Sequence, residues 1–231
     1  MNKRDVSLTP RIENVREMPA TLAEHFELCE IKQHFDESLN TIVSQFCVAA
    51  DLNRDGDDDA EKTIYRSQIV FLEGILDFYM HEMSKYGLYK IFLGEWSKTE
   101  KYKKVMVSMP YVEKALDNPQ SKEWFFDCVN GLYATTVMQD WETIRDQLNL
   151  IGIKFNEVCK AVYTELDQSH AGDQCKDKLI KLYKRRNQIA HQNDRSHLSA
   201  VQSNIDKEYV DDAIEFVRKF VDAIHNIAID M

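Results

Sequence analysis

The chain has 231 residues, 44% hydrophobic and 29% charged, which is enough apolar side chain for a true core in one large domain or two small ones. Its net charge of −10 excludes a protein that coats nucleic acid indiscriminately, because phosphate contacts need cations. Only seven glycines and four prolines interrupt it, and no proline follows Pro119, so long helices are expected rather than many turns.

No stretch of ~18 apolar residues is present to span a bilayer. The polar start, Met1-Asn2-Lys3-Arg4-Asp5, is not followed by the apolar run of a secretory signal. A cytoplasmic protein with no membrane contact is expected. Five cysteines, at 29, 47, 128, 159 and 175, form no Cys-x-x-Cys pair, so free buried thiols are expected and no metal or cofactor. Charge is segregated along the chain. Residues 51–61 carry six acids against one arginine, whereas residues 176–186 carry six Lys/Arg against Asp177.

Residues 1–20, polar and containing Pro10 and Pro19, read as an N-terminal arm, and residues 21–231 as a single helical domain. A helix over 21–50, with a possible break near Gln33 and His34, carries Leu39, Ile42, Val43, Phe46 and Ala50 on one face. The stretch 51–62 imitates a calcium-binding EF-hand loop, with Gly56 at the sharp turn. Its twelfth position, which needs a bidentate carboxylate, is Lys62, so a solvated loop leading into an acidic helix start is expected.

The clearest helix spans 60–86. Ile64, Ile69, Leu72, Ile75, Leu76, Tyr79 and Met83 form its apolar stripe, while Arg66, Val70, Glu73 and Asp77 share another face. Glu73 either pairs with Arg66 or orients Arg186 across the bundle. Gly74 costs ~1 kcal/mol in a helix interior, and close approach of a neighbouring helix would account for it. Gly87 is expected to end this helix. Residues 99–104 read as a basic, solvated turn, with contact to substrate phosphates as the alternative. A short helix follows over 111–117. Ser121 then caps a helix whose Trp124, Phe125, Phe126 and Tyr133 suit a core or a dimer face. Residues 139–166 read as helical with a bend at Gly152. Asp173 is placed to cap the next helix.

That next helix begins amphipathic and turns basic, ending in Arg186-Asn187-x-x-x-His191. At ~100° per residue, Leu179, Tyr183, Arg186 and Ala190 share one stripe, so Arg186 occupies a core-like position. A guanidinium there must be paired or line a wet cleft. Asn187 lies between Arg186 and His191 on the wheel. The last helix, over about 207–229, carries so many apolar residues that burial on two sides is expected, by the bundle and by a second subunit.

Arg-Asn-x-x-x-His at the end of a basic helix in an all-helical chain resembles the R-x(4–6)-H motif of the HEPN superfamily. The wording Arg185-Arg186-Asn187-Gln188-Ile189-Ala190-His191 is most similar to the RiboL-PSP-type HEPN proteins. The helix carrying Leu72-Glu73-Gly74 fits the same pattern. The resemblance implies an all-α, HEPN-like up-and-down bundle with additional helices that pairs into a homodimer. It also implies a metal-independent endoribonuclease acting as a toxin or antiviral effector, accompanied by an antitoxin or regulatory partner.

The chemistry suits the residues. RNA brings its own 2′-hydroxyl nucleophile. An imidazole, titrating near neutrality, moves protons. A guanidinium holds the charge that builds on phosphorus. Arg186, His191 and Asn187 are therefore the expected catalytic residues, with Glu73, Arg185 and His197 as accessory groups. One chain supplies one such histidine, whereas an acid and a base at once need two, which a symmetric dimer provides. The competing readings are a non-catalytic HEPN-type module that binds RNA or protein, and a helical scaffold. In the scaffold, His191 is only a favourable cation at a helix end while Arg185 and Arg186 pair with Glu73 or Asp77.

Overall fold

The structure is a computed structural model that describes residues 25–134, 136–164, 168–196 and 198–231; the proposed arm at 1–20 lies outside them. Among the described residues the elements are eight α-helices and two short 3-10 turns, with a lone bridge between Arg195 and Gln202 in place of any strand.

Helix α1 (Leu28–Arg54) opens with a reciprocal cap, the Glu30 carboxylate accepting the Glu27 N–H at 2.7 Å. It runs unbroken through Gln33 and His34, where side-chain bonds from Lys32 to Asp36 and from Gln33 to Glu37 support the turn the sequence was expected to break. Ile31, Phe35, Leu39, Ile42 and Ala49 are its buried stripe; Ala50, expected on that face, is exposed. Only three residues, 55–57, separate α1 from α2 (Asp58–Leu93), too few for a twelve-residue calcium loop. Gly56 makes the turn at φ 81°, and the Asp57 carboxylate accepts the Ala60 N–H at 3.0 Å.

Helix α2 is the axis of the molecule, packing on α1 and on α4, α5, α7 and α8. It does not stop at Gly87 but continues to Leu93, ending on Gly94 in the left-handed conformation. Gly87 is where the close approach occurs. A Cβ there would sit 2.8 Å from Ile151 Cβ and 2.9 Å from the Trp96 ring. Gly74, expected to need such an approach, is open, with nothing within 4 Å of a would-be Cβ.

A peripheral pair follows, α3 (Met109–Asp117) and α4 (Glu123–Tyr133). Phe125, Phe126 and Tyr133 are buried, and Phe125 stacks on Phe92 with ring centres 4.2 Å apart. Gly152 is a left-handed cap that splits the expected long helix into α5 (Trp141–Ile151) and α6 (Phe155–Val162). Helices α7 (Ala171–Gln192) and α8 (Lys207–Ile229) complete the bundle. Asp173 lies in the first turn of α7 instead of capping it, because the helix starts at Ala171. Cys128, Cys159 and Cys175 are buried, but Cys29 and Cys47 fall off the apolar stripe of α1 and are exposed, contrary to the expectation for all five. No described helix is long and apolar enough to cross a membrane.

Candidate active site

Helix α7 buries Cys175, Leu179 and Leu182 and stays helical through Gln192, so His191 belongs to an intact last turn. Asn193 (φ 49°) and Asp194 (φ 58°) then adopt the left-handed conformation that short polar side chains tolerate, which turns the chain sharply away. His191 is exposed, and Asn187, one turn earlier, is half-buried. Between them and the core lies Arg186, whose Nη1 donates to Asn187 Oδ1 at 2.9 Å. Arg186 Nε is buried and makes no hydrogen bond.

Facing Arg186 from α2 is Glu73, fully buried, with neither carboxylate oxygen hydrogen-bonded. Burial pushes its carboxyl up to about 8. The Arg186 charge opposes that rise and the Asp77 carboxylate one turn on adds to it. Of the two sequence readings for Glu73, the pairing with Arg66 does not form; the group that Glu73 senses is Arg186. Asp77 is engaged elsewhere, accepting the Met138 N–H at 2.6 Å with His81 3.8 Å away.

Arg66 instead reaches behind the motif. Its Nε donates to Asp194 Oδ2 at 2.8 Å, and Arg185 Nη2 donates to the same oxygen at 2.8 Å. The two guanidinium groups also hold the Ser203 and Asn204 carbonyls, each at 2.8 Å. Gln188 adds a bond to Ser203 Oγ at 2.9 Å. Asp194 is completely buried. Arg185 is thus tied to Asp194, not to Glu73 or Asp77, and its charge is spent on fixing the segment after the motif. Sequence reasoning missed Asp194. Its only signal was an Asn-Asp pair just past a helix end. His197, the remaining accessory candidate, lies outside the described residues.

The site is open. Four cavities elsewhere in the molecule have neither Arg186, Asn187 nor His191 in their walls. Along α7, from its first turns towards the motif, Lys176, Lys181 and Lys184 hold no ion pair among the described residues. On the outer crest of α2, Phe71 and Phe78 are 53% and 42% exposed, two turns apart, with open Gly74 between them. Chemically, the constellation offers a solvent-facing imidazole, an amide locked to a guanidinium, and a buried carboxyl behind it. That set can move a proton and hold an anion.

Comparison with curated proteins and with solved structures returns no match. The model of the RiboL-PSP-HEPN family, in contrast, matches residues 37–230, a stretch that takes in most of α1 and the whole of α2 to α8. With an all-helical bundle whose basic helix ends in Arg186-Asn187-x-x-x-His191, the chain belongs to the RiboL-PSP-HEPN family.

Proposed function

We propose that this protein is a metal-independent endoribonuclease that works as a homodimer, in a toxin or antiviral role, with His191, Arg186 and Asn187 as its catalytic residues. The observation that carries this reading is the placement of the motif on an intact helix turn. His191 is presented to solvent while Arg186 is locked to Asn187 over a buried carboxyl. In the reaction, one His191 takes the proton of the ribose 2′-hydroxyl. The 2′-oxygen attacks phosphorus, and the bond from phosphorus to the 5′-oxygen breaks. The His191 of the second copy protonates that leaving oxygen, so the products end in a 2′,3′-cyclic phosphate and a 5′-hydroxyl. Arg186 stabilises the charge on the phosphoryl oxygens as it builds. Asn187 holds the guanidinium in place.

Two features favour pairing of subunits. A single protomer offers one such imidazole, on an open surface. Phe71 and Phe78, on the side of α2 turned away from Glu73, leave an apolar strip half-exposed among the described residues.

Digestion of RNA in excess chelator, with wild type beside His191→Ala, tests the reading. Cyclic-phosphate ends from the wild type and none from the variant are expected. Cutting that the variant retains would remove His191 as the proton-transfer group. Binding of RNA without cutting by the wild type would leave the non-catalytic HEPN module in its place, with an antitoxin or regulatory protein as a further occupant of the same surface.

A further inference from the structure

About four helical turns from His191, at the other end of α7, a cleft of about 580 Å³ opens between α5, α6 and the start of α7. Trp141 forms part of its wall. Two cations lie against the indole: the Arg145 guanidinium 4.7 Å and the Lys176 ammonium 4.5 Å from the ring centre. Lys160 lines the cleft as well. Acids are present too: Glu157 and Asp173 are in the wall, Glu157 lies 3.5 Å from Lys160, and Arg145 is held by Asp146 at 3.0 Å. Lys176 is different, since among the described residues it meets no carboxylate within ion-pair distance.

The position of Lys176 connects this cleft to the motif. On α7, Lys176, Ile180, Asn187 and His191 fall within a stripe ~60° wide, with Lys184 at its edge, and the stripe is ~22 Å long. Lys184 is also unpaired among the described residues and is exposed. An extended strand laid on the stripe with one phosphate at His191 would pass Lys184 and reach Trp141 several nucleotides away.

We propose that the Trp141, Arg145 and Lys176 cleft is a second, non-catalytic RNA subsite that grips a nucleotide of a single-stranded substrate distant from the scissile bond. The proposal rests on the ribonuclease reading and deepens it by naming the substrate as an unpaired strand. A strand suits the cleft better than a duplex. A single base can be splayed against the indole edge while its phosphate meets Lys176, an arrangement that stacked, paired bases do not offer.

The test is equilibrium binding of 2′-O-methyl RNA, which this chemistry cannot cleave, across a salt series. Wild type, Lys176→Ala and Arg145→Ala would each be measured with a long oligonucleotide and with one of two nucleotides. Thermal melts confirm that the half-exposed substitutions leave the fold intact. For the long strand, each variant is expected to bind about tenfold more weakly, with the salt slope reduced by about one. For the two-nucleotide strand, both variants are expected to match wild type. Equal affinity and slope for the long strand in all three proteins would overturn the subsite while leaving the ribonuclease reading standing. Loss of long-strand affinity in the variants of a protein that cuts nothing would keep the subsite and overturn the nuclease. Failure of the wild type to bind either RNA would overturn both.

Discussion

Arg66 of α2 and Asp194, 128 residues later, are joined by a 2.8 Å bond from guanidinium Nε to carboxylate Oδ2 in the protein interior. Arg185 shares that oxygen, so one buried carboxylate balances two guanidinium groups and anchors the chain just past the motif. Removing one member of a buried ionic set leaves its partners uncompensated. Asp194→Ala is therefore expected to cost about 3–5 kcal/mol in denaturant unfolding. A loss under 1 kcal/mol would show that the arginines find other partners.

Glu73 gives the fold a distinct pH dependence. Its carboxyl titrates near 8 in the folded chain, because of burial, against an ordinary value of 4.5. A raised acid binds more protons folded than unfolded, so stability falls as pH climbs from about 4.5 towards 8 and levels off above that. The full span is on the order of 5 kcal/mol. Glu73→Gln is expected to flatten the curve over this window and to be the more stable protein at pH 8. Parallel stability profiles for variant and wild type would contradict this.

The catalytic assignment makes a separation of effects measurable. His191 is exposed, so His191→Ala should change stability by less than about 0.5 kcal/mol. Loss of its proton transfer should lower the cleavage rate by about 10²–10⁴-fold. Arg186→Lys keeps the charge but cannot reproduce both the bond to Asn187 and the grip on phosphate, so a large loss of rate with folding retained is expected. Full activity in that variant would show that charge alone suffices.

Pairing of subunits should depend on the α2 crest. Phe78→Asp, at a residue 42% exposed, costs the isolated protomer little but places a charge in an apolar contact. Light scattering after gel filtration should report a dimer for wild type and a monomer for the variant, and RNA cutting should fall with the dimer. A monomeric wild type would remove the second histidine from the proposed reaction.

Two glycines on the same helix should respond in opposite directions. Gly74→Ala fills open space and removes a flexible residue from a helix interior, a gain of about 0.5–1 kcal/mol. Gly87→Ala drives a methyl into Ile151 and Trp96 and should cost about 1–3 kcal/mol. Chemical denaturation of the pair measures both. Equal shifts would mean that packing around Gly87 yields freely.

By itself the sequence determined the helices, because apolar spacing and scarce breakers are local properties. It placed the last helix at 207–229 and the basic helix with its Arg-Asn…His ending, and it left Glu73 between Arg66 and Arg186. It misjudged Gly74 and Gly87 because a glycine's use depends on what packs over it, and Ile151 is 64 residues from Gly87. It could not see that Arg66 and Arg185 would meet on Asp194 while Glu73 stayed buried without a hydrogen bond. Three arginines and several acids permit many pairings on paper. Only the packing of α2 against α7 decides which carboxylate is buried beside which guanidinium, since a charge withdrawn from water must find its partner in the one geometry the core leaves open.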